Sequence, residues 1–101
     1  MEHVTTIPGL MDLWRTTPIG RLRGANSAFA HDLGVKSVVV RSMRFRNAVD
    51  VWHWPAVIAA AQRHALDAKA SKAFATINAD LLLRLHTSDV AKQAKRRKVA
   101  A

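Results

Sequence analysis

The chain contains no cysteine, which excludes a disulfide framework and a thiolate metal site and fits a reducing interior. It also lacks any apolar run approaching the ~20 residues of a membrane-spanning helix, and its start, MEHVTTIPGL, has no basic segment followed by an apolar one. Location in the cytoplasm, without membrane contact, is the expectation. Acidic residues are scarce as well: seven Asp and Glu, spread over the chain, form no evident acid–base pair. The five histidines, His3, His31, His53, His64 and His86, fall in no metal-ligand spacing such as HExxH. His31 beside Asp32, and Asp50 near His53, have no nucleophile, oxyanion hole or phosphate loop around them. His31 reads as a surface residue and His64 as an exposed position on a helix. Neither enzymatic activity nor a cofactor or metal is expected.

What the chain does have is positive charge. Sixteen Lys and Arg give a net charge of +9 over 101 residues, half of them hydrophobic, so one small domain with a helical core is expected. A chain this basic is drawn to polyanions by counterion release. The charge is uneven: residues 25–66 carry +3 and residues 87–101 carry +4, against +1 each for 1–24 and 67–86.

The stretch NSAFAHDLGVKSVVVRSMRF, Asn26 to Phe45, reads as a helix-turn-helix. Phe29 and Leu33 lie four apart on one face of a first helix, with the small Ala30 where two helices would cross closely. Gly34 can end that helix in the left-handed conformation. Val35 packs into the corner, and Ser37 reads as the N-cap of a second helix. At about 100° per residue, Val39, Val40 and Met43 point toward the first helix. The opposite side presents Ser37, Val38, Arg41, Ser42 and Phe45 as base-contacting candidates. An arginine fork there suits guanine O6 and N7, hydroxyls take either role, and apolar groups suit a thymine methyl; Arg41, near the exposed centre, is the leading candidate. Lys36, Arg44 and Arg46 are expected to hold phosphates. Read locally, SVVVRSM also suits a strand, which would leave the glycine and cap signals without purpose.

Residues 29–61, FAHDLGVKSVVVRSMRFRNAVDVWHWPAVIAAA, resemble the Cro-type helix-turn-helix regulators of phages and prophages. In that family the second helix passes through an arginine and asparagine link and an apolar residue to a Trp-Pro pair opening an alanine-rich helix. Here these are Arg46-Asn47, Val49 and Trp54-Pro55. The resemblance spans about residues 26–65. It departs at Asp50, where the family often has proline, and at Arg41 and Ser42, where it often has an aromatic residue. It implies double-stranded DNA as partner, a homodimer, and a regulator that is most simply a repressor; an activator would also contact RNA polymerase. The expected setting is bacterial and close to the nucleoid.

Elsewhere, Leu10, Leu13 and Trp14 suggest a short helix starting near Pro8. TTPIGRLRG, Thr16 to Gly24, reads as a long loop whose Arg21 and Arg23 either reach the DNA backbone or are simply solvated. Asp50 is expected to cap a fourth helix with Val51, Trp54, Ile58, Ala61 and Ala65 on one side and Trp54 in the core, and with Trp52 exposed, either as a partner contact or leaning on the 16–24 loop. A fifth helix built on Phe74, Ile77, Leu81 and Leu85 leaves Leu82 and Leu83 as dimerisation candidates. From residue 87 a basic tail, with Lys92, Lys95, Arg96, Arg97 and Lys98, is expected to be flexible and to add phosphate contacts. The expected architecture is all-α: a small bundle of about five helices over residues 1–86 containing the helix-turn-helix, followed by the tail at 87–101. Two other readings stand beside it. One is a nonspecific or architectural nucleic-acid binder; the other is a small phage-type protein-interaction module.

Overall fold

A computed structural model describes residues 4–86; the basic tail residues Lys92, Lys95, Arg96, Arg97 and Lys98 lie outside the described residues. The fold is all-α. Helices α1 (Ile7–Asp12), α2 (Pro18–Arg23), α3 (Ala25–Leu33), α4 (Ser37–Arg46) and α5 (Trp54–Ala65) are followed by a helix, α6, over residues 79–86. Three 3-10 turns, Leu13–Thr16, Val51–His53 and Lys72–Thr76, join them. Among the described residues no helix is long and apolar enough to cross a membrane.

Local chemistry sets each boundary. Thr6 caps α1 by accepting from Gly9 N at 3.0 Å, with Pro8 in the first turn where its missing N–H has no partner to lose. Most of the expected loop from Thr16 to Gly24 is helical instead, as α2, Pro18–Arg23. Thr17 caps α2 by accepting from Gly20 N at 3.1 Å, while its own hydroxyl donates to the Trp14 carbonyl at 2.6 Å. Gly20 interrupts nothing; it lets α2 lie directly on the preceding turn, because a Cβ there would sit 1.8 Å from the Trp14 carbonyl oxygen. Residues that read as turn punctuation are thus a cap, a first-turn proline and a close-contact glycine.

Helix α3 is the hub, packing against α1, α2, α4, α5 and the Leu13–Thr16 turn. The wholly buried Trp14 stands edge-on to Phe29 (centroids 4.7 Å, 83°) and to Phe74 (4.9 Å, 82°). Such edge-to-face pairs contribute about 0.5–1.5 kcal/mol beyond area burial. Ile7, Leu10, Met11, Val40, Met43 and Val57 complete the same core.

Two further expectations are corrected. Val51 and Ala65 do not share the buried side of α5: Ala65 is exposed at its end, and Val51 is exposed because Val51–His53 is a 3-10 turn and α5 begins only at Trp54; Asp50 makes no side-chain cap bond there. The single expected helix from Phe74 to Leu85 is broken: Ile77 is extended and the Asn78 side chain accepts from Leu81 N at 2.8 Å, starting α6 afresh. Phe74, Ile77, Leu81 and Leu85 are all buried nonetheless. His86 ties α6 to the segment after α4. Its Nε2 accepts from Val49 N at 3.0 Å, so Nδ1 carries the proton that meets the Leu82 carbonyl at 2.7 Å.

Candidate nucleic-acid interface

Helices α3 and α4 are joined by three residues. Gly34 is left-handed (φ 70°, ψ 32°), and the bonds from Gly34 N to the His31 carbonyl (3.2 Å) and from Val35 N to the Ala30 carbonyl (3.0 Å) close the end of α3. Val35 packs against the core. The expected cap at Ser37 is corrected: the flanking extended residue is Lys36, and Ser37 is already helical, so its hydroxyl is not at the capping position. Two apolar residues of α4, not three, form the seam. Val40 and Met43 are wholly buried while Val39 is on the surface.

The remaining face of α4 is open. Val38 (61% exposed), Arg41, Ser42 and Phe45 (93%) fall along one side at helical spacing, with Ser37 half-buried at their flank. A phenyl ring this bare at a helix end costs solvation free energy unless something covers it.

The helix is held from beneath at two places. Arg44 Nε donates to Asn26 Oδ1 of α3 at 3.1 Å, and its Nη1 meets Asp12 Oδ1 of α1 at 2.9 Å. Its side chain is only 29% exposed, so this arginine is chiefly a strut between three helices rather than a free phosphate ligand as expected. Asn47, left-handed at φ 55°, ends α4 and accepts from Ile7 N at 2.9 Å, which ties the far end of α4 to the start of α1. Arg46 lies 4.0 Å from Asp50 and is half-exposed; Arg21, Arg23 and Lys36 are exposed.

Arg15, Arg23 and Arg44 meet around the start of α3. With Gly24, Ala25 and Asn26 they line a depression of about 260 Å³. Gly24 (φ 94°) precedes a helix with no side-chain cap bond, and the dipole of that helix adds to the arginines' field at its start. Arg15 was not evident as part of any site from sequence; the signal was its spacing of three from Asp12, which it approaches at 3.9 Å. The depression exists because the segment before α3 is helical, which places Arg23 there.

Of the two dimerisation candidates, Leu82 is corrected: it is wholly buried, with Leu81 and Leu85, and serves the monomer core. Leu83 is 57% exposed. Trp52 is exposed, and its ring lies 6.0 Å from that of His53.

His64 is also corrected. It is largely covered, not exposed, and its Nε2 lies 2.7 Å from Asp32 Oδ2, which accepts from Trp14 Nε1 at 2.8 Å as well. Arg63 reaches the other carboxylate oxygen at 3.7 Å. This cluster joins the core tryptophan to α3 and α5. Among the described residues no group of three His, Asp or Glu is arranged to hold a metal. Family models, curated proteins and solved structures give no match to this chain.

Proposed function

We propose that this protein is a sequence-specific binder of double-stranded DNA that acts as a transcriptional regulator, most simply a repressor, with α4 as the helix that enters the major groove. The observation that carries the reading is the outward face of α4. Val38, Arg41, Ser42 and Phe45 are exposed together, although burying Val38 and Phe45 elsewhere would have stabilised the monomer by about 1.5–3 kcal/mol each. The helix bearing them is fixed by Arg44 and Asn47 rather than left to drift. In this arrangement Arg41 reads a base edge, Val38 and Phe45 meet thymine methyls, and Ser37 and Ser42 take hydroxyl contacts.

Backbone contacts surround that face. Lys36 and Arg46 flank α4, and the depression at the start of α3 suits a phosphate between Arg15 and Arg23. The tail residues 92–98 would add affinity without sequence preference. A homodimer through Leu83 would pair two such surfaces, and occlusion of a promoter needs nothing further.

Selection of bound duplexes from a random library at physiological salt tests this directly. A consensus site is expected, with Arg41→Ala losing roughly 1–3 kcal/mol of discrimination between that site and random DNA while remaining folded. No consensus, together with equal affinity for unrelated duplexes, would replace the reading by an architectural binder held by charge alone.

A further inference from the structure

Away from α4, the structure carries a second surface, which shares only Arg23 with the proposed DNA contacts. Helix α2 presents Ile19, Leu22 and Arg23 at positions i, i+3 and i+4, hence on one side. Leu22 is 85% exposed. With Ser27 and His31 of α3 these three line a depression of about 310 Å³. A second depression of about 330 Å³ shares Ile19 and His31 and runs on to Arg63 and His64 of α5. The two adjoin at Ile19 and His31 and are together called the groove. Ser27 and His31 lie about 100° around α3 from Asn26, Ala30 and Leu33, the side carrying the bond to Arg44 of α4.

We infer that this groove is a docking site for an acidic amphipathic helix of a partner protein. The groove's apolar lining is Ile19 and the exposed Leu22, and Arg23 lines one depression and Arg63 the other. Among the described residues no carboxylate lies within ion-pair distance of Arg23. The groove's one acid, Asp32, is engaged by Trp14, His64 and Arg63. An occupant with two apolar residues three or four apart and carboxylates beside them would cover Leu22 and pair with both arginines. Charge argues against the chain's own residues 87–101 as occupant: they carry +4 and would bring positive charge against Arg23 and Arg63. A second copy paired symmetrically through this groove would set the same arginines against each other. Arg23 also lines the depression proposed for phosphate, so the separation from the DNA reading rests on Leu22 and Arg63, which take no part in it.

The test is selection of a displayed library of random peptides, about four helical turns long, against the full-length protein at physiological salt. Enriched peptides are expected to combine an apolar pair at helical spacing with acidic residues. Leu22→Glu and Arg23→Glu are each expected to weaken a selected peptide about tenfold or more. Arg41→Ala should leave it unchanged, and amide shift changes should map to α2, the outer side of α3 and the end of α5. A peptide of the same composition in scrambled order separates docking from general attraction to a basic chain. Leu22 is almost fully exposed, so the variants should remain folded, which circular dichroism verifies. The proposal is overturned if no peptide family is enriched, if binding survives Leu22→Glu, or if scrambled peptides bind equally. It is overturned too if Leu22→Glu instead abolishes self-association in sedimentation.

Discussion

Replacing Gly20 by alanine should unfold this domain far more readily than helix propensity alone would suggest. In an exposed helix interior, Gly→Ala gains about 1 kcal/mol. Here the added Cβ would lie 1.8 Å from the Trp14 carbonyl oxygen, 2.7 Å from its carbonyl carbon and 2.8 Å from Arg15 Cα, all of them backbone atoms. Ordinary contact begins at 3.4 Å, so α2 would have to retreat by about 1.6 Å, the difference between 3.4 and 1.8 Å. That movement breaks the bonds that lock the approach: Thr17 Oγ1 to the Trp14 carbonyl at 2.6 Å and Thr17 N to the same oxygen at 3.2 Å. Two hydrogen bonds contribute roughly 1 kcal/mol each, and overpacking costs a further 1–3 kcal/mol or so. After subtracting the propensity gain, a net loss of about 2–4 kcal/mol remains. For a domain of this size that lowers the melting temperature by about 10–25 °C, read by helical circular dichroism on heating. Gly9→Ala is the control, since its Cβ would meet only the Thr6 side-chain oxygen at 3.1 Å. If Gly20→Ala melts at or above the parent temperature, the close approach of α2 to the Leu13–Thr16 turn is not there.

Two further outcomes follow from burial and hydrogen bonding. Leu82→Ala should cost about 2–5 kcal/mol in urea unfolding, whereas Leu83→Ala should stay within about 0.5 kcal/mol when both are measured at a concentration at which the protein is monomeric; similar costs at both positions would then refute the assignment of Leu82 to the core and Leu83 to the surface. Asp32→Ala should lose about 1–3 kcal/mol, because it leaves the wholly buried Trp14 indole N–H without an acceptor. A double-mutant cycle with His64→Ala should be non-additive, and independent effects would show that the carboxylate does not join the two rings.

Much of the region around α4 was legible along the chain, because its signals are local. Glycine at position 34 suits a left-handed helix end whatever surrounds it. The spacing of Phe29, Val40 and Met43 says which sides must be buried. The proline and glycine of TTPIGRLRG misled for a related reason. Both are local punctuation only by default, and here Pro18 occupies a first turn and Gly20 a contact with a carbonyl that lies outside its own helix. Similarly, nothing in LLL says which leucine faces inward. Asn78 restarts the helix and so sets its rotation, burying Leu82 and turning Leu83 out.

By itself, the sequence determined the helical class, the turn at Gly34, the basic character and the burial of Phe29, Val40 and Met43, since each depends on residue type and short-range periodicity. Only the tertiary structure decided that Arg44 braces α4 against Asn26 and Asp12, that Arg15 and Arg23 meet at the start of α3, and that Asp32 serves both Trp14 and His64. Those pairings join residues 18 or more positions apart in most cases. Their geometry is set by how the helices of the described residues pack on one another, which no local pattern encodes.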